Sequence, residues 1–160
     1  MALYQLIYQS QATAPFDTPA LAALLHQSRV FNWGHYLSGL LLHTPDDRFL
    51  QLLEGEEAEV RGLYYRHISR DRRHQHCEVI AEGPCSQRSF ADWNMGFRIA
   101  QPADLHALLE EAARTPTLVE GPRPVVSPAL LRQLLEFVAR TTPAAGHPDP
   151  LVSGNHHAPA

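Results

Sequence analysis

The sequence predicts an α+β domain whose strands and helices follow the order βαββαββ. Three observations carry this. Short runs rich in β-forming residues alternate with longer runs of helical period. Two of the strand runs are separated only by a Pro-Asp-Asp turn, which leaves no room for a helix between them. Proline confines the pattern to the first part of the chain, since four of the thirteen prolines fall in the first hundred residues and nine in the last sixty.

Leu3 to Tyr8 (LYQLIY) is apolar and β-forming, ends in polar loop residues, and reads as a strand with Tyr4, Leu6 and Tyr8 on one face. Thr18 followed by Pro19 predicts an N-cap with proline at the first helical position; Leu21, Leu24, Leu25 and Ser28 then keep helical spacing up to Val30–Asn32, before Gly34. Leu37 to His43 and Phe49 to Glu54 form a hairpin around the Pro-Asp-Asp turn. From Glu56, the residues Val60, Leu63, Tyr64, His67 and Ile68 make the clearest helical stripe in the chain. Cys77 to Ala81 and Phe90 to Ile99 read as the last two strands, with Trp93, Met95 and Phe97 alternating along the second.

This order is the ferredoxin-like split βαβ unit with one strand more: a five-stranded mixed sheet with two helices on one face, plus a C-terminal helical extension. The first and third strands are expected as parallel neighbours, which lets Tyr8 and Gln51 approach and leaves a groove between the helices for a flat ligand. Residues 1–100 read as the compact domain, 101–142 as the helical extension and 143–160 as a flexible tail. In the extension, Ala103 to Arg114 and Pro128 to Arg140 read as helices, the second with Leu130, Leu131, Leu134, Leu135 and Val138 in a stripe. That stripe either supports an oligomer or is covered within the monomer.

Composition removes several functions. The chain has 160 residues, 44% of them hydrophobic and 19% charged, enough for one core. Its 13 basic residues are all Arg, yet 17 acidic residues leave a net charge of −4, which argues against nucleic acid as a partner. Ala20 to Leu25, the longest apolar run, is far short of the roughly 20 residues a membrane span needs. With no export signature at the start, a cytoplasmic protein is expected. Cys77 and Cys85 make neither a zinc site nor a disulfide framework, so no metal is expected.

Polar residues stand where packing wants apolar ones. Gln51 shares a strand face with Phe49 and Leu53, where an unpaired amide would cost roughly 1–3 kcal/mol. It is either an edge-strand side chain facing water or a satisfied buried group. His67 lies in the second helix's stripe, and Ser28 and Asn32 continue the first helix's face. Singly, each reads as a core histidine, a backbone-bonded serine or a helix-end asparagine. Together they are convergent polar groups in an apolar pocket. Arg70-Asp71-Arg72-Arg73-His74 closes the second helix, where cations complement the helix dipole or bind a phosphate.

Five segments in register, LIYQS around Tyr8, FNWGHYLSGLLL from Asn32, FLQLLEG around Gln51, RDRRH at 70–74 and FADWNMGF around Trp93, resemble BLUF domains, the blue-light photoreceptors that use FAD. The resemblance covers essentially residues 1–100 and is closest in type to short members with C-terminal helices and no attached effector enzyme. It implies FAD as the cofactor, its ring system sandwiched between the helices by Leu24 and Ile68. Asn32 would bond the pyrimidine edge, which an amide matches with both its functions. Ser28, His67, Asp71, Arg73 and His74 would line the same region, the basic members reaching the polar and phosphate parts.

By the same resemblance Gln51 would bridge Tyr8 and the N5/O4 edge of the flavin. Blue light would draw an electron and a proton from Tyr8 through Gln51. Gln51 would end rearranged, by rotation, tautomerisation or both, shifting the absorption to the red. Trp93 and Met95 would relay the change to the sheet. The implied protein is not an enzyme; it would signal to a separate downstream protein, as a homo-oligomer. Phe31, where relatives usually carry a polar residue, His67, often Arg, and Ser38, usually Thr, depart from the pattern without touching the photochemical pair. A small-molecule-binding regulatory module and an acylphosphatase-like hydrolase share the topology, but neither needs Tyr8, Gln51 and Trp93 together.

Overall fold

The structure, a computed structural model, describes residues 2–91, 94–99 and 127–140. Its elements are β1 (Leu3–Ala12), α1 (Thr18–Gly34), β2 (Ser38–His43), β3 (Arg48–Glu56), α2 (Glu57–Gly62), β4 (His74–Cys85), β5 (Gly96–Ile99) and α3 (Pro128–Ala139). α2 runs on through a π-helical turn, Leu63–His67, into a 3-10 turn, Ile68–Arg70.

The strands form one mixed five-stranded sheet in the order β4-β1-β3-β2-β5. The expected neighbours β1 and β3 do pair, but antiparallel rather than parallel. The reason lies in connectivity. The crossover through α1 makes β1 and β2 parallel with a gap of one strand, and β3, returning from β2 by a hairpin, fills that gap opposed to both. The register survives this correction: Tyr8 stands directly opposite Gln51. β5 adds to β2 in parallel.

Several boundaries move. Asp17, not Thr18, caps α1: its carboxylate accepts the Ala20 N–H at 2.8 Å, which places Pro19 second in the helix. The last strand is four residues, not ten. Phe90 is fully buried and its N–H is bound by the Glu54 carboxylate at 2.6 Å, so that stretch belongs to a turn, and Met95 falls one residue before β5. Trp93 lies outside the described residues, as do the expected helix Ala103 to Arg114 and the tail 143–160.

Alternation along the strands divides the interior into two cores. On one face Tyr4, Leu6, Tyr8, Leu41, Phe49, Leu53 and Met95 pack with Leu25 of α1 and Val60 and Tyr64 of the second helix. On the other, Ile7, Leu40, Leu42, Leu50, Leu52 and Phe90 pack with Leu130, Leu134, Phe137 and Val138 of α3. The stripe of α3 is therefore covered within the chain. Ser127 caps α3, accepting the Leu130 N–H at 3.2 Å. At Gly39 the sheet has no room for a side chain: a Cβ would lie 2.0 Å from the Leu52 carbonyl oxygen, so β2 and β3 meet closely beside Gln51.

Among the described residues no helix is long and apolar enough to cross a membrane, and no cluster of His, Cys, Asp and Glu is suited to a metal.

Candidate functional site

A cavity opens between α1, the second helix and the sheet face they cover, with about 960 Å³ of free space counted out to its mouth, at the upper end of the size of small-molecule sites. α1 presents Leu24, Gln27, Ser28, Phe31 and Asn32 to it, residues three, four and seven apart on one helix face. The sheet supplies Tyr8, Leu41, Phe49 and Gln51; the second helix and the loop after it supply Leu63, His67, Ile68, Asp71, Arg73 and His74. The π-turn adds one residue to a regular helix and so sets the angle at which His67 and Ile68 meet the cavity.

At the sheet wall Tyr8 is 4% and Gln51 5% exposed. The Tyr8 hydroxyl donates to Gln51 Oε1, and Gln51 Nε2 donates to the Met95 thioether sulfur at 3.5 Å. The amide is thus fixed from both sides, its weaker partner being the sulfur. Burial pushes the Tyr8 phenol well above its ordinary pKa, with Cys77, Tyr64 and Asp71 adding to the shift. Tyr8 is therefore a neutral donor across the physiological range. Tyr64 lies beside it, ring centroids 4.9 Å apart, its own phenol pushed up to about 12 chiefly by burial.

Asn32, 1% exposed, donates through Nδ2 to the Asn94 backbone carbonyl, so one function of its amide is engaged by the chain itself. At the basic end Arg73 lies on Asp71, with Nε 3.0 Å from both carboxylate oxygens; this holds the Asp71 carboxyl below its ordinary pKa. His74 donates through Nε2 to the Ile68 carbonyl at 2.5 Å and has Nδ1 2.9 Å from Ser10 Oγ. Its ring braces β1 against the end of the second helix. His67 stands exposed at the rim, 6.2 Å from the Phe31 ring, which stacks on His35 at 3.9 Å.

Of the residues expected from sequence, Tyr8, Leu24, Ser28, Asn32, Gln51, His67, Ile68, Asp71, Arg73 and His74 all line this one cavity. Met95 touches Gln51 from beside it. The sequence reading missed Phe16, Gln27, Leu41, Phe49 and Leu63, and took Phe31 only as a departure. Gln27 and Phe31 follow Leu24 by three and seven positions, and Phe49 precedes Gln51 by two, so the spacing that found their neighbours contained them too.

Apolar walls, with amide and hydroxyl groups at the inner edge and an ion pair at one end, suit a flat heteroaromatic ring with an amide-like edge and a polar tail. The family model described as BLUF, sensors of blue-light using FAD, matches residues 3–96. The chain is 36% identical over 95 residues to the photoactivated adenylate cyclase subunit alpha of Euglena gracilis, a match that covers 58% of this chain and 9% of that protein. The chain spans about a tenth of the length of the curated relatives it matches. The dark-state structure of BlrB, a BLUF protein, aligns with TM-score 0.60 and 29% identity over 68% of this chain and 80% of that one. BlrP1 BLUF aligns with TM-score 0.67 and 27% identity over 87% and 91%.

Proposed function

The chain belongs to the BLUF family of blue-light sensors that use FAD, and on that premise we propose that Tyr8 and Gln51 are its photochemical pair. The observation that carries this is the buried hydrogen-bonded series Tyr8, Gln51, Met95 in the wall of the cavity. When bound, FAD supplies absorption of blue light and, once excited, a strong one-electron oxidant. Leu24, Leu63 and Ile68 would hold its ring system, Ser28 and Asn32 its polar edge, and Arg73 and His67 its polar chain.

Tyr8 is the donor of electron and proton. Its O–H already points at Gln51 Oε1, so the proton has a defined exit, and the raised pKa keeps it on the phenol until then. Gln51 is the bistable element. An amide donates on one side and accepts on the other, and turning it over or tautomerising it exchanges the partners of its oxygen and nitrogen. A neutral hydrogen bond contributes a net of only about 0.5–1.5 kcal/mol, and the N–H to sulfur contact is weaker, so the two arrangements lie close in energy. Once electron and proton have returned to Tyr8, the pair is chemically unchanged and Gln51 is rearranged.

Met95, in contact with Gln51, and Trp93 pass the change to the sheet and to α3. Residues 1–100 act as the sensor, 101–142 as the output extension and 143–160 as a tail. The output is an interaction with a separate signalling protein, made as a homo-oligomer in the cytoplasm, and the chain itself catalyses no turnover. The cyclase named in the Euglena relatives covers a far longer chain.

The purified protein is expected to be yellow, with a flavin spectrum that moves red under blue light and recovers in darkness. Tyr8→Phe and Gln51→Leu should keep the flavin and lose the normal shift. A colourless protein that FAD cannot reconstitute, or a Gln51→Leu variant that cycles normally, overturns the assignment.

A further inference from the structure

The Gln51 amide is held on one side by Tyr8 and on the other by the Met95 sulfur. Met95 is 2% exposed, yet it precedes β5, so the ladder that β5 makes with β2 begins only after it, at Gly96. Its backbone is fixed from α1 instead. Arg29 Nε donates to the Met95 carbonyl at 3.0 Å, and Asn32, one turn further on, donates to the Asn94 carbonyl. The start of the same segment is anchored from the far face of the sheet, where the Ser89 and Phe90 N–H groups donate to the buried Glu54 carboxylate at 2.9 and 2.6 Å.

Asn32 lines the cavity and so serves both the ligand and the segment; Arg29 is not part of that lining. Its one hydrogen bond shown here goes to the residue whose sulfur orients Gln51. A charge-assisted donor is the stronger kind, and its ε N–H is directional, so it fixes the Met95 backbone in a way a merely solvated arginine would not. We infer that Arg29 is a positioning residue for the photoreaction, setting the orientation of Gln51 through Met95. The inference rests on the photochemical roles given above to Tyr8 and Gln51.

The test uses the full chain loaded with FAD, reading the light-minus-dark spectrum and the rate of dark recovery. Arg29→Met should bind FAD and recover faster than the unsubstituted protein by about threefold or more, because a loosened Met95 no longer opposes the return of Gln51. Arg29→Lys, which keeps a charged donor, should fall between the two. In a Met95→Leu background, which lacks the sulfur, adding Arg29→Met should change the rate by less than about 1.5-fold. Arg132→Met, on the exposed side of α3, serves as the control and should recover at the unsubstituted rate. If Arg29→Met fails to hold FAD, Arg29→Gln carries the same expectation. Recovery at the unsubstituted rate, or an equal fold-change with and without the Met95 sulfur, overturns the inference. Absence of any red shift in the unsubstituted protein overturns the photochemical roles themselves, a separate result.

Discussion

The two faces of the sheet are built from the same strands and differ in kind. On β3, Phe49, Gln51 and Leu53 face the cavity, while Leu50 and Leu52 face α3. The α3 side is an aliphatic contact closed by Phe90 and Phe137, with the buried Glu54 carboxylate held by backbone N–H groups at its end. The cavity side carries a phenol, two amides and hydroxyls among its apolar groups, each buried polar atom with a partner among the described residues. One face is built for packing and the other for hydrogen bonds that can be exchanged. Adjacent residues of a single strand should therefore report on stability and on function separately.

The widest separation is expected between two neighbours. Leu52, fully buried on the α3 side, should cost about 2–5 kcal/mol when changed to Ala, read from denaturant unfolding, with the flavin spectrum of the folded fraction unchanged. Gln51→Leu should move stability by no more than about 1–2 kcal/mol while removing the photoresponse. If Leu52→Ala altered the light-induced shift as strongly as Gln51→Leu does, the faces would not be independent.

A smaller effect is expected where β3 touches α3. The Arg48 guanidinium lies 4.8 Å from the Phe137 ring centroid and donates to the Phe137 carbonyl at 3.4 Å. Arg48→Met should loosen α3 by about 0.5–1 kcal/mol, visible as faster amide exchange confined to that helix.

The smallest is a pH effect on the cavity side. A phenol with a raised folded pKa lends stability that is fully present below the unfolded value of about 10 and is lost as pH rises through the folded value. Melting temperature should therefore fall above about pH 10, and Tyr8→Phe should make that fall shallower, with Tyr64 accounting for what is left. An unchanged alkaline slope in the variant would show that Tyr8 does not retain its proton.

How much of this was legible follows from which forces act locally. Alternation gave β1, β2 and β3 and the face shared by Phe49, Gln51 and Leu53, because a half-buried strand must repeat every two residues. The direction of β1 against β3 was misread, since it depends on how the crossover and the hairpin combine and on no single run of residues. Glu54 passed unnoticed: an acid ending an apolar strand looks like a solvent-facing boundary, and its donors, Ser89 and Phe90, arrive from 35 positions away or more. The cavity residues of α1 were half found by spacing. The roles given to Tyr8, Gln51 and Asn32 came from resemblance, and the structure adds their geometry: one amide held between a phenol and a thioether, another shared between cavity and chain.

The π-turn at Leu63–His67 has a consequence for how this protein tolerates change. Removing any one residue from the turn would let the helix close regularly and rotate everything after it by about 100°, carrying Ile68 off the cavity although every lining residue kept its identity. Ligand fit on this side is thus a matter of counting. A library of point substitutions would pass over the turn as permissive, whereas a single-codon deletion there would disable the site.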